Sequence, residues 1–180
     1  MKTFSPLIVF ILLLSGCSSP SITQGTGLIP SCTEIRIGTT SDKKLELPCL
    51  DGSTSFDFHQ IKGPIVINVW GSWCEGCRQE MPYFIDLYAT QSFKTSEIQL
   101  LGINVEEDSP NSGSDYIKQN GMSWPHLNDV NDQTKAIFGP GVPVTWFINS
   151  NGDVVDKHIG AYQNKNQLFN QVEKAFGVTL

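Results

Sequence analysis

Basic residues are scarce in this chain. Lysine and arginine together number 12 against 18 aspartates and glutamates, for a net charge of −6. Nucleic-acid binding needs clustered cations that neutralise phosphates, and these twelve are scattered, so no nucleic-acid partner is expected. Long hydrophobic runs are missing too. The one extended apolar stretch is residues 6–14, PLIVFILLL, less than half of the about 20 residues a retained membrane helix requires. Histidine occurs 3 times, as His59, His126 and His158, spaced too widely for a metal-ligand motif. Each reads as a surface or packing residue. What is present is enough for a core: hydrophobic residues make up 39% and charged ones 17% of 180 residues. Those values exclude a disordered chain and suit one domain with a short appendage.

The appendage is N-terminal. Lys2 gives a positive charge, residues 6–14 an apolar stretch, and Leu14-Ser15-Gly16-Cys17 a small-residue exit. That order is the pattern of an export signal. The exit resembles a bacterial lipobox, which implies that residues 1–16 are removed and that Cys17 is lipidated. Two or three acyl chains, at about 0.8 kcal/mol per buried CH₂, hold a protein on a membrane. Residues 17–31 are uncharged and rich in Ser, Thr, Gly and Pro, the composition of a flexible tether. The folded body is expected over 32–180, on the extracytoplasmic side of a bacterial membrane.

Export places the remaining cysteines where disulfides persist. Cys74 and Cys77 form the one close pair, which leaves Cys32 with Cys49. Closing that loop would stabilise the fold by roughly 3 kcal/mol in the chain-entropy model. The competing account, a four-cysteine zinc site, usually presents two close pairs, and Cys32 and Cys49 are not close. Neither metal nor cofactor is expected.

Apolar patterning orders the elements. Residues 65–70 (IVINVW) and 98–105 (IQLLGINV) read as buried strands. Between them Met81, Phe84, Ile85 and Tyr88 mark one face of a helix, which Pro82 should bend. Strand, helix, strand makes a βαβ unit with parallel strands. A helix over about 112–120 ends at Asn120-Gly121, residues 124–130 read as a connector, and 131–138 as a short helix. Residues 144–148 and 154–159 flank Asn151-Gly152, a hairpin signal. Leu168, Phe169, Val172, Ala175 and Phe176 mark a C-terminal helix.

A Cys-x-x-Cys pair between a buried strand and a helix has specific chemistry. Cys74 would stand at the helix N-terminus, where unpaired N–H groups and the helix dipole favour a thiolate. Cys77, one turn on, can attack a mixed disulfide on Cys74, so the pair cycles between dithiol and disulfide.

The segment Asn68 to Pro82 (NVWGSWCEGCRQEMP) resembles the active-site stretch of membrane-anchored thioredoxin-like proteins of the TlpA/ResA type. The resemblance continues through Trp124-Pro125-His126-Leu127-Asn128-Asp129, then 141–148 (GVPVTWFI), then Asn151-Gly152 and Gly160, covering roughly 45–176. It implies an α/β thioredoxin fold: a central mixed sheet flanked by helices, with an N-terminal β extension. It also implies thiol–disulfide exchange with client proteins, often reducing, and a membrane redox donor. Pro143 matches the family's cis-proline facing the cysteines, and the Val142 backbone would pair with a substrate chain. Glu80 matches an acidic residue that assists proton transfer, and Trp73 would shield the sulfurs. Thioredoxins proper carry a buried aspartate where this chain has Asn68, which shifts proton handling towards Glu80.

The leading expectation is a lipid-anchored protein-disulfide oxidoreductase, with an apocytochrome c thiol pair as a client consistent with the resemblance. The dipeptide Glu75-Gly76 leaves reduction and oxidation both open. The alternatives are a copper(I)-binding thioredoxin-like module, which lacks a nearby His or Met cluster, and a thioredoxin-fold peroxidase, which lacks the Thr/Pro-rich loop. Nothing in the acidic composition calls for more than a monomer.

Overall fold

A computed structural model describes residues 28–38 and 42–180. The signal segment, Cys17 and most of the tether lie outside the described residues. Among the described residues no helix is long and apolar enough to cross a membrane.

Two sheets organise the chain. Strands β1 (Glu46–Pro48) and β2 (Ser55–Asp57) pair antiparallel as the N-terminal extension. The main sheet holds β3 (Ile65–Trp70), β4 (Gln99–Val105), β5 (His126–Asp129), β6 (Val144–Ile148) and β7 (Val154–Ile159) in the order β5-β4-β3-β6-β7. β4 runs parallel to β3 and β5, whereas β6 is antiparallel to β3 and β7. This is the thioredoxin fold, a mixed central sheet flanked by helices.

Every residue of β3 is buried because both faces of the sheet are covered, which is why this strand reads as a continuous apolar run. Val66 and Trp70 point to one core, with Phe84 and Leu87 of α1 (Glu75–Ala89), Ile117 of α3 (Ser112–Asn120) and Leu168 and Val172 of α5 (Lys165–Phe176). Ile65, Ile67 and Val69 point to the other, against Cys32, Leu45, Leu47, Cys49 and Phe58 of the N-terminal segment and Phe138 of α4 (Lys135–Phe138). The extension therefore serves as the second lid of the sheet.

Two local features differ from the sequence reading. Residues 124–130 are not only a connector: His126–Asp129 is the edge strand β5, completed by a bridge from Cys49 to Leu127. Its four residues are too few to show a period. A further short helix, α2 (Gln91–Thr95), precedes β4. Helix α1 continues through Pro82 without interruption; the missing N–H removes one hydrogen bond of the helix, and packing of Met81, Phe84 and Leu87 holds it together.

Candidate active site

At the carboxyl end of β3 the chain turns through residues 71–73 into α1. Cys74 is the N-cap residue, and its Sγ accepts the Cys77 backbone N–H at 3.1 Å. A sulfur thus fills the place that a serine or aspartate oxygen usually takes at a helix start. Cys74 and Cys77 are joined as a disulfide with Cα atoms 5.2 Å apart. Cys74 is 5% exposed and Cys77 1%, so both residues are buried, Cys77 the more deeply. Beside the pair a groove of about 830 Å³ opens between α1 and α3, lined by Ser72, Glu75, Arg78, Asp115 and Tyr116.

The other residues singled out by sequence gather around this turn. The Val142–Pro143 peptide is cis, and the Pro143 ring faces the turn: a Cβ placed on Gly76 would lie 3.4 Å from Pro143 Cδ. Val142 packs partly buried between the two cores. Trp73 is 45% exposed, with its indole N–H directed at the Val105 carbonyl at 3.4 Å.

Glu80 lies one turn below Cys77 and is fully buried. Its carboxyl accepts the Asn68 amide on Oε1 and the Tyr162 backbone N–H on Oε2, each at 3.0 Å. Desolvation outweighs those two hydrogen bonds and lifts its pKa from 4.5 to about 7. Half-protonated near neutrality, it can take or give a proton. Asn68, on the central strand, also donates to Thr145 Oγ1 at 3.4 Å, while its Oδ1 has no partner.

Cys32 and Cys49 form the second disulfide, with Cα atoms 6.0 Å apart. It lies in the other core, under the extension. With all four body cysteines bonded in pairs, the four-cysteine zinc arrangement is not present. The one group of possible ligands among the described residues, Cys32, Cys49 and Asp51, has its two sulfurs bonded to each other.

Sequence reasoning passed over several residues here. Tyr162 enters through its backbone, which leaves no signature in a side-chain pattern. Asn104 and Glu107 hold the turn before α1 through Ser72, from a stretch whose composition is merely polar. His126, read as a surface or packing residue, is fully buried: it accepts the Trp70 indole N–H on Nδ1 at 3.3 Å, and burial lowers its pKa to about 3 and keeps it neutral.

Comparison with known proteins places this geometry. The AhpC/TSA family matches residues 41–157. The thiol-disulfide oxidoreductase ResA of Geobacillus kaustophilus is 33% identical over 130 residues, 72% of each chain. The chain belongs to the AhpC/TSA family, as a ResA-type thiol–disulfide oxidoreductase. ResA of Bacillus anthracis is 27% identical over 177 residues, covering 93% of both chains. The structure of a putative thiol:disulfide interchange protein DsbE from Chlorobium tepidum superposes with a TM-score of 0.64 at 23% identity, over 79% of this chain and 99% of that one. That likeness shows the fold. As a ResA-type chain this protein has protein-disulfide oxidoreductase activity, and protein thiols are its partners.

Proposed function

We propose that Cys74 attacks a client disulfide and that Cys77 resolves the product. The Cys74 thiolate bonds to one client sulfur and expels the other as a thiolate. Cys77, its proton passed to the Glu80 carboxylate, then attacks Cys74 Sγ and releases the second client thiolate. The client gains two electrons and the pair returns to the disulfide. The observation that carries this order is Cys74 Sγ capping α1 on the Cys77 N–H, while Cys77 lies behind it: donor and dipole favour charge on the outer sulfur. Cys77→Ser is expected to accumulate mixed disulfides with an oxidised protein substrate, detected by mass, whereas Cys74→Ser accumulates none. Mixed disulfides on Cys77 in the Cys74→Ser protein would reverse the assignment.

The finer reading is a reductant anchored outside the cytoplasmic membrane. Support comes from the charged, apolar and small-residue order before Cys17 and from the resemblance in the body. A lipid on Cys17 would tether the domain, a membrane dithiol donor would recharge the pair, and a cysteine pair awaiting haem on an apocytochrome c is the client class the resemblance supports. Pro143 and Val142 would align the client backbone, with Trp73 against its side chains. Cys17→Ala is expected to move the protein from the membrane to the soluble fraction. A potential near the thioredoxin value of about −270 mV fits a reductant, and one near about −120 mV would make the pair an oxidant.

A further inference from the structure

The turn Gly71-Ser72-Trp73 carries the nucleophile from β3 into α1, and its anchors all come from the end of β4 and the residues just after it. The Glu107 carboxylate accepts the Ser72 backbone N–H on Oε1 at 2.7 Å and the Ser72 hydroxyl on Oε2. Asn104 Nδ2 donates to the same Oε1 at 2.5 Å. Asn104 is itself buried and seated against Gly113 at the start of α3, where a Cβ would strike its amide. Trp73 leans back over Gly71, whose absent Cβ would come within 2.5 Å of the indole Nε1, and bonds to Val105. A single carboxylate is therefore held by a buried amide on one side and grips the turn on the other.

We propose that Glu107 is a positioning residue of the exchange reaction: it clamps the turn that presents Trp73 and Cys74, and its charge biases the pair towards the disulfide. The inference rests on Cys74 being the attacking sulfur. A clamp on the turn fixes the sulfur and the indole before a client arrives, so less ordering remains to be done in the encounter. The charge acts separately. Glu107 is hydrogen-bonded to Ser72, two residues before Cys74, and a negative charge held next to that turn disfavours a Cys74 thiolate. Destabilising the thiolate destabilises the reduced pair, which makes it the stronger reductant. The other charged groups near this turn are Glu75 and Arg78 of α1, Asp115 of α3, and Glu106 and Asp108 flanking Glu107, with Glu106 paired to Lys135 at 2.9 Å and the Glu80 carboxyl one turn beyond Cys77. Arg78 is the one cation lining the groove, against Glu75 and Asp115.

Glu107→Gln and Ser72→Ala in the full chain separate the two effects. The Cys74 titration is followed by thiolate absorbance in a Cys77→Ser background, and the dithiol–disulfide equilibrium is measured against glutathione with both cysteines present. Glu107→Gln is expected to raise the thiolate-to-thiol ratio of Cys74 about tenfold at a given pH and to move the glutathione equilibrium towards the dithiol. Ser72→Ala keeps the charge and loosens the clamp. Its thiolate titration should match the wild type while its exchange with a protein disulfide slows about tenfold, one lost charge-assisted hydrogen bond being worth that much. If Glu107→Gln folds poorly, Glu107→Asp takes its place: charge kept, reach shortened, so the titration holds and exchange slows. A Glu107→Gln protein with wild-type titration and equilibrium would overturn the charge bias. Wild-type exchange rates in Ser72→Ala and Glu107→Asp would overturn the clamp. A wild-type chain that exchanges with no disulfide would instead overturn the reading of the cysteine pair itself.

Discussion

The molecule holds two disulfides in two cores on opposite faces of one sheet, and solvent exposure hardly distinguishes them. Cys74 and Cys77 are 5% and 1% exposed, Cys32 and Cys49 0% and 3%. Their surroundings differ. Cys74 Sγ receives a backbone N–H at the mouth of a 15-residue helix, with the buried Glu80 carboxyl one turn beyond Cys77 and a half-exposed indole beside it. Cys32 Sγ faces the His126 carbonyl oxygen at 3.4 Å, and Leu45, Leu47, Phe58 and Leu127 pack around it. A donor favours a thiolate; an acceptor in an apolar core opposes one. Chemistry at a disulfide is thus set by which polar groups point at the sulfur, more than by how much of it water touches.

The sharpest break of that contrast is in activity. Cys74→Ser is expected to abolish exchange with a protein disulfide, while Cys32→Ala with Cys49→Ala keeps it within a small factor. Turnover assays on the two variants decide it; loss of activity in the second would mean that the enclosed pair takes part in electron transfer.

Stability reverses the ranking. Removing the 17-residue cross-link between Cys32 and Cys49 should cost about 3 kcal/mol in the chain-entropy model. Opening the 3-residue loop between Cys74 and Cys77 should cost less, because a short loop restricts the unfolded chain less. Denaturant unfolding of the two double-alanine variants measures both. An equal or larger loss at Cys74 and Cys77 would remove the division of labour.

The buried carboxyl sharpens the contrast through pH. Glu80 has its pKa raised from 4.5 to about 7 by burial, so the folded chain holds more protons than the unfolded one across that interval. Its contribution to stability therefore falls as pH rises from 4.5 to 7, by about 3 kcal/mol in all at 1.36 kcal/mol per unit. His126 acts in the opposite sense. With its pKa lowered from 6.5 to about 3, the unfolded chain binds the extra proton, and stability rises with pH up to 6.5. The two slopes cancel between 4.5 and 6.5, which leaves wild-type stability to rise only gently there through His158, whose pKa burial also lowers. Glu80→Gln removes the falling slope. Its amide can still accept the Tyr162 N–H and can donate to the unpartnered Asn68 Oδ1. Unfolding of this variant should grow harder with rising pH by about 1.4 kcal/mol per unit more than that of the wild type in that window; a profile parallel to the wild type's would mean that Glu80 ionises as an ordinary exposed glutamate does.

Much of this contrast was legible in the sequence, and physical reasons mark where legibility stopped. Residues 65–70 stood out because a strand covered on both faces carries no polar positions except Asn68, and the cysteines followed it directly. Residues 98–105 were clear for the same reason. β5 was passed over because His126–Asp129 gains its place from pairing with β4 and from the Cys49 bridge, neither of which is local. Glu80 was picked out through family resemblance, yet its partner Tyr162 lies 82 positions away and acts through a backbone N–H common to every residue type. Glu107 had no signal: its role depends on facing Ser72, which lies 35 positions earlier.

The smallest effect concerns Trp73, the aromatic beside the Cys74–Cys77 pair. At 45% exposed it contributes little to the core, and replacing it with phenylalanine removes one long hydrogen bond to Val105 while keeping an aromatic face. The cost should stay below about 1 kcal/mol, a shift in thermal midpoint of no more than about 4 °C for a domain of this size. Exchange with a protein disulfide should slow more than exchange with glutathione disulfide, since only the larger substrate would lie against the indole. Leu47, buried beside the Cys32–Cys49 bridge, supplies the opposite case: truncation to alanine should cost about 2–5 kcal/mol and leave both exchange rates alone. If Trp73→Phe proved as costly as Leu47→Ala, the indole would be core rather than a contact surface, and the reactive pair would be as sealed as the other.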